Sequence, residues 1–105
     1  SKGYERAAAV QAGSFTWFDF NYSETTRLYG RFRALGGKND IECYILDDDG
    51  LENFKNGNQF RAYYASGRVT VATFDVTLAK GNYHLIFSNK WSVMTPKAVT
   101  IWFLE

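Results

Sequence analysis

GNYHLIFSNKWSVMTPKAVTIWFL, residues 81–104, decides how this chain is read. Tyr83, Leu85 and Phe87 alternate with His84, Ile86 and Ser88, the period of a half-buried strand. Ser88, Asn89 and Lys90 interrupt the run with turn chemistry. Val99, Ile101 and Phe103 then alternate with Thr100, Trp102 and Leu104, which predicts a second strand. The connector between them carries Trp91, Val93 and Met94, and apolar side chains in a connector need cover. The expectation is a terminal hairpin whose connector folds Trp91 back onto a sheet face.

Working outward, Arg68 to Leu78 reads as a strand with Ala72, Phe74, Val76 and Leu78 on one face. Ala79-Lys80-Gly81-Asn82 turns it into the terminal pair. Thr26 to Leu35 places Leu28, Phe32 and Ala34 inward and Arg27, Tyr29, Arg31 and Arg33 outward. Gly36-Gly37-Lys38-Asn39 is a turn. Asp40 to Leu46 follows with Ile41, Cys43 and Ile45 inward. If those two strands pair, Glu42 faces an arginine. Ser14 to Tyr22 changes phase, with Phe15 and Trp17 on one face but Phe18, Phe20 and Tyr22 on the other. A β-bulge near Trp17 would explain this, as would a strand covered on both sides. Asp47-Asp48-Asp49-Gly50 reads as a turn. Leu51 to Gly67 reads as an irregular excursion packed by its own aromatics, with room for one helical turn or short strand.

Residues 1–9 are expected to be a lead-in of poor order, and 10–105 a single domain. A chain starting at Ser1 with no legible leader is expected to be a piece of a longer polypeptide. The fold expected is all-β: an antiparallel, jelly-roll-like β-sandwich of about seven or eight short strands.

Composition agrees with that class. Aromatics make up 18% of the 105 residues, and such side chains suit pleated surfaces. Twelve basic and eleven acidic residues leave a net charge of +1, so no global pull toward nucleic acid is expected. No apolar run is long enough for a transmembrane segment. The single cysteine, Cys43, allows no intrachain disulfide and fits a small core position.

Candidate chemistry is sparse. His84 is the only histidine, which excludes zinc sites needing more than one. It sits off-phase in its strand, partly exposed, and no motif sets a nucleophile beside it. Asp47, Asp48 and Asp49, with Asp40 and Glu52, supply hard oxygens for Ca²⁺, but the EF-hand spacing fails and a solvated turn explains them. No metal or cofactor is called for. Asn21-Tyr22-Ser23 fits a glycosylation triplet inside a strand and is uninformative. Arg27, Arg31 and Arg33, with Tyr29 between them, form a row suited to acidic protein or anionic lipid; a solvated face is the plainer reading. Trp91, Trp102, Phe54, Tyr63 and Tyr64 are either packing residues or contact rings.

The closing stretch also resembles the C-terminal signature of GOLD domains, β-sandwich modules of p24-type cargo receptors, Sec14-like proteins and Golgi adaptors. The residues that carry it are Gly81, Tyr83, Phe87, Asn89, Trp91, Ser92, Lys97 and the strand from Ala98. A p24-type half-cystine position holds Ile86, so that crosslink is absent. The resemblance covers about a quarter of the chain and implies a non-catalytic protein-interaction module. Phe54 to Tyr64 and Trp91 to Met94 would then be its contact loops. The alternatives are a carbohydrate-binding or secreted-protease accessory sandwich, which the DIECYILDDDG strand and turn resemble, or anionic-lipid docking through the arginine row.

Overall fold

Eight strands and one short helix make up the fold, and the computed structural model describes residues 2–105. In chain order they are β1 (Gly3–Val10), β2 (Phe15–Tyr22), β3 (Thr26–Leu35), β4 (Ile41–Asp47), α1 (Asp48–Lys55), β5 (Tyr64–Val69), β6 (Val71–Leu78), β7 (Gly81–Ser88) and β8 (Lys97–Leu104). Two four-stranded antiparallel sheets stack face to face. The first runs β1-β8-β3-β6 and the second β2-β7-β4-β5. This is an antiparallel β-sandwich of jelly-roll type, as the strand pattern predicts.

Inward positions of both sheets meet in one core. Leu28, Phe32 and Ala34 of β3 and Val99, Ile101 and Phe103 of β8 face Ile41, Cys43 and Ile45 of β4 and Leu85 and Phe87 of β7. These are the inward residues that alternation assigns. Cys43 is fully buried and free, and burial pushes its thiol well up. Gly30 has a separate reason to be glycine. A Cβ there would stand 2.5 Å from the Trp102 carbonyl oxygen and 2.6 Å from the Phe74 ring. The third strand therefore approaches its neighbours too closely for any side chain.

Several expectations are corrected by pairing. β7 and β8 do not form a hairpin: β7 pairs with β2 and β4, whereas β8 pairs with β1 and β3. The connector crosses from one sheet to the other. β3 and β4 likewise lie in different sheets, and Glu42 faces Arg68 of β5 instead of a β3 arginine. Residues 3–10 are no lead-in: β1 pairs with β8 along its whole length, although alanine has weak β preference, because tertiary pairing overrides propensity. Ser1 lies outside the described residues. The described ends meet, Lys2 N–H donating to the Glu105 carbonyl at 3.0 Å and Glu105 N–H to that of Lys2 at 3.1 Å.

The phase change in β2 comes from two-sided cover. Its register with β7 is unbroken from Phe15 to Tyr22, and the register shift lies instead between β4 and β5, near Glu42 and Tyr44. The cover on the outer side is α1. Asp47 caps it, its carboxylate accepting from Gly50 N–H at 2.8 Å, and Asp48 and Asp49 suit the positive end of the helix. The Asp-Asp-Asp-Gly run is thus a helix start and not a turn. Leu51 and Phe54 pack with Leu46 and Ile86, ringed by Phe15, Trp17, Tyr44 and Phe60. As a result β7 is buried on both faces from Tyr83 to Ser88 and is not the half-buried strand that its alternation predicts.

Candidate binding surfaces

No helix lies on the outer face of the first sheet. β3 projects Arg27, Tyr29, Arg31 and Arg33 there, as alternation predicts, and register sets their neighbours. Arg31 stands between Trp102 of β8 and Thr73 of β6, and Arg33 between Thr100 and Val71. Glu5 of β1 flanks Trp102 on its far side. Between them runs a shallow groove of about 680 Å³. Tyr29 and Trp102 are each 38% exposed, their rings meeting edge to face at 6.3 Å and 90°.

The arginines of the row differ. Arg27 is bound through two nitrogens to Asp75, at 2.8 and 2.7 Å. That hydrogen bonding raises Arg27 further above its usual range and lowers Asp75. Arg27 also lies 5.7 Å from the centre of the Tyr29 ring. Arg31 and Arg33 have no ion-pair partner among the described residues. Trp102 belongs beside them, and the row as read from β3 alone misses it. The signal was its parity: it is off-phase from Ile101 and Phe103, hence outward, although only strand pairing could set it next to Arg31.

The expected contact loops fare differently. Phe54 is buried at 6% exposure, edge-on to Phe15 and Phe60; it anchors α1 and cannot meet a partner. Tyr64 is half-buried against the core beside Phe74. Tyr63 is exposed, with its ring edge-on to Tyr83 and its hydroxyl 3.4 Å from Asp47. Trp91 is half-buried, so it is neither a sealed plug nor a free platform. Its ring lies between the Arg68 guanidinium at 4.2 Å and the Lys97 ammonium at 5.0 Å. Val93 and Met94 are almost fully exposed.

The residues that carry the GOLD resemblance serve the scaffold. Tyr83 donates its hydroxyl to the Ala79 carbonyl at 2.7 Å. Fully buried Asn89 holds the connector, its Nδ2 donating to the Thr95 carbonyl at 2.8 Å and the Gln11 carbonyl at 3.3 Å. Ser92 accepts from Thr95 N–H at 3.1 Å. Lys97 is 4% exposed and donates to Asp40, at 2.7 Å to its carbonyl and 2.6 Å to its carboxylate. That bond holds the Asp40 carboxyl below the usual range.

His84 is buried, not half-exposed, on the outer face of the second sheet. Its Nδ1 lies 2.7 Å from Asp19 and its Nε2 2.7 Å from Asp48. Both ring nitrogens are thereby occupied, and the bond from His84 lowers Asp48. Of the acidic residues around Asp47, Asp47 itself is spent on the helix cap, Asp48 on His84 and Asp40 on Lys97. Among the described residues, no group of three His, Cys, Asp or Glu side chains is placed to hold a metal ion, and no helix is long and apolar enough to cross a membrane.

No known family model matches the sequence, and no curated protein matches it either. Solved structures do match the fold. The Yersinia pseudotuberculosis-derived mitogen is similar with a TM-score of 0.65 at 11% identity, over 99% of this chain and 86% of that one. The pre-peptidase C-terminal domain of collagenase from Bacillus anthracis is similar at 0.62 and 7% identity, over 93% and 87%. PliG of Aeromonas hydrophila, a periplasmic inhibitor of g-type lysozyme, is similar at 0.50 and 11% identity, over 97% and 86%. No GOLD domain is among these three. At such identities the likeness is one of fold.

Proposed function

We propose that this domain is a non-catalytic, GOLD-type protein-interaction module that holds an acidic partner on the outer face of its first sheet. The observation that carries the reading is one of contrast. The second sheet's outer face is covered by α1 and its aromatic ring, whereas the first leaves Trp102 and Tyr29 half-open beside Arg31 and Arg33, which have no ion-pair partner among the described residues. Aromatic rings flanked by arginine are the composition of interface hot spots. The GOLD-like residues clamp the connector, so specificity falls to surfaces elsewhere. Of the expected loops, Tyr63 and the exposed tip at Val93 and Met94 are free to add contacts.

A glycan platform is less well supported, because Tyr29 and Trp102 meet at 90° and offer no coplanar surface. PliG shares the fold and is a lysozyme inhibitor by name, but fold alone carries no role to this chain. The test is capture from an extract of the source organism on the immobilised domain, with salt steps. Wild type should retain a defined acidic protein, and both Trp102→Ala and Arg31→Glu/Arg33→Glu should lose it while Tyr63→Ala keeps it. Capture unaffected by either face variant overturns the reading. So does a domain that instead sediments with phosphatidylserine vesicles or binds a glycan array.

A further inference from the structure

We propose that the cleft between the β3–β4 turn and the β7–β8 connector is a carboxylate-binding site, with Arg68 as the fork that grips the ligand. This site lies apart from the sheet face above and stands independently of it. The cleft measures about 330 Å³ and is lined by Lys38, Asp40, Arg68, Trp91, Thr95 and Lys97, among others. That is at the low end of small-ligand pockets, roughly 300–1,000 Å³, and admits a ligand of monosaccharide or amino-acid size.

Three observations set the chemistry. The Arg68 guanidinium lies 4.2 Å from the centre of the Trp91 ring. A guanidinium over a ring face keeps its N–H donors, and donors in one plane match a carboxylate with two parallel bonds. Among the described residues Arg68 makes no ion pair within 4.0 Å, although Glu42 stands opposite it in the ladder. The only carboxylate lining the cleft, Asp40, is already held by Lys97 at 2.6 Å. The cleft thus presents a fork and the Lys38 ammonium, and its own carboxylate, Asp40, is already paired with Lys97. Its back wall is firm, since Asn89 and Ser92 tie down the connector that carries Trp91.

An acidic sugar and a peptide C-terminus share this carboxylate, and the test separates them. Arginine- and tryptophan-labelled protein is titrated with glucuronate in one arm and N-acetyl-diglycine in the other, with glucose and the C-terminally amidated peptide as controls. The Arg68 Nε–H and Trp91 indole resonances should shift saturably with at least one carboxylate and with neither control. Arg68→Gln should weaken that binding about tenfold or more, as expected for a lost charged hydrogen bond, and Arg68→Lys should not restore it. Melting curves of both variants should match wild type, since Arg68 is exposed. Equal shifts with the neutral controls, binding unchanged in Arg68→Gln, or no saturable shift with either carboxylate overturns the proposal. None of these results bears on capture by Trp102 and Arg31.

Discussion

Asp40 and Lys97 join the turn after β3 to the start of β8, and their burial is unequal: the Lys97 side chain is 2% exposed and that of Asp40 22%. Removing the acid leaves the buried ammonium its charge uncompensated, with only the residue-40 carbonyl and the Trp91 ring beside it, while removing the base leaves a carboxylate that water can reach. Asp40→Ala should therefore cost about 3 kcal/mol in urea unfolding, and Lys97→Met distinctly less. The acid response follows from the same pair. A carboxyl lowered in the folded state contributes fully above its unfolded value, about pH 4. It loses that contribution as pH falls through the folded value. Asp40→Asn should make the acid limb of the stability curve shallower but not flat, because Asp48 and Asp75 are lowered as well. Asn89 makes a sharper case: as Asp it would turn a carboxylate toward carbonyl oxygens. Asn89→Asp should thus destabilise more than Asn89→Ala, itself about 2 kcal/mol. Asn89 and Lys97 were legible in the sequence as part of a signature, and Asp40 only as one acid near the Asp47–Asp49 run. Their duties were not, since a motif does not say whether its polar atoms face solvent or close a loop.

At the level of elements, α1 shows why local signals compete. Asp47 at the cap, acids in the first turn, Leu51 and Phe54 three apart and Lys55 at the end all spell a helix. Gly50 and the run of aspartates spell a turn equally well. Tertiary cover decided between them, since without α1 the outward Leu46 and Ile86 would face water. Asp47→Ala should cost about 1 kcal/mol through loss of the cap. Phe54→Ala should cost about 3–5 kcal/mol. It should also shift tryptophan emission to the red as Trp17 loses cover. An unshifted spectrum in a folded Phe54→Ala protein would place the weight of that packing elsewhere. The strands were the more legible elements. Inward Leu28, Ile41 and Val99 follow from alternation alone, whereas the partner of each strand does not. A period of two assigns faces and is silent about neighbours.

For the whole molecule, that silence explains the missed pairings. In this topology β4 and β5 are the only successive strands that share a sheet; every other connection crosses the sandwich. Expecting successive strands to pair produced both the terminal hairpin and the β3–β4 pair. The topology also sets kinetics, because nearly every ladder joins residues far apart in sequence. Folding should take milliseconds to seconds, measurable by stopped-flow fluorescence. Gly30→Ala drives a methyl into the β8 backbone and the Phe74 ring at once and should cost about 3 kcal/mol; a neutral substitution would mean the sheet yields more readily than its spacing suggests. The paired ends carry one more consequence. With Lys2 and Glu105 bridged by two backbone bonds, the chain is nearly a closed loop, and its starting point is arbitrary to the architecture. A circular permutant, sewn shut there by a short flexible linker and reopened beside Gly57, where no atom lies within 4 Å of an added Cβ, should fold to the same sandwich.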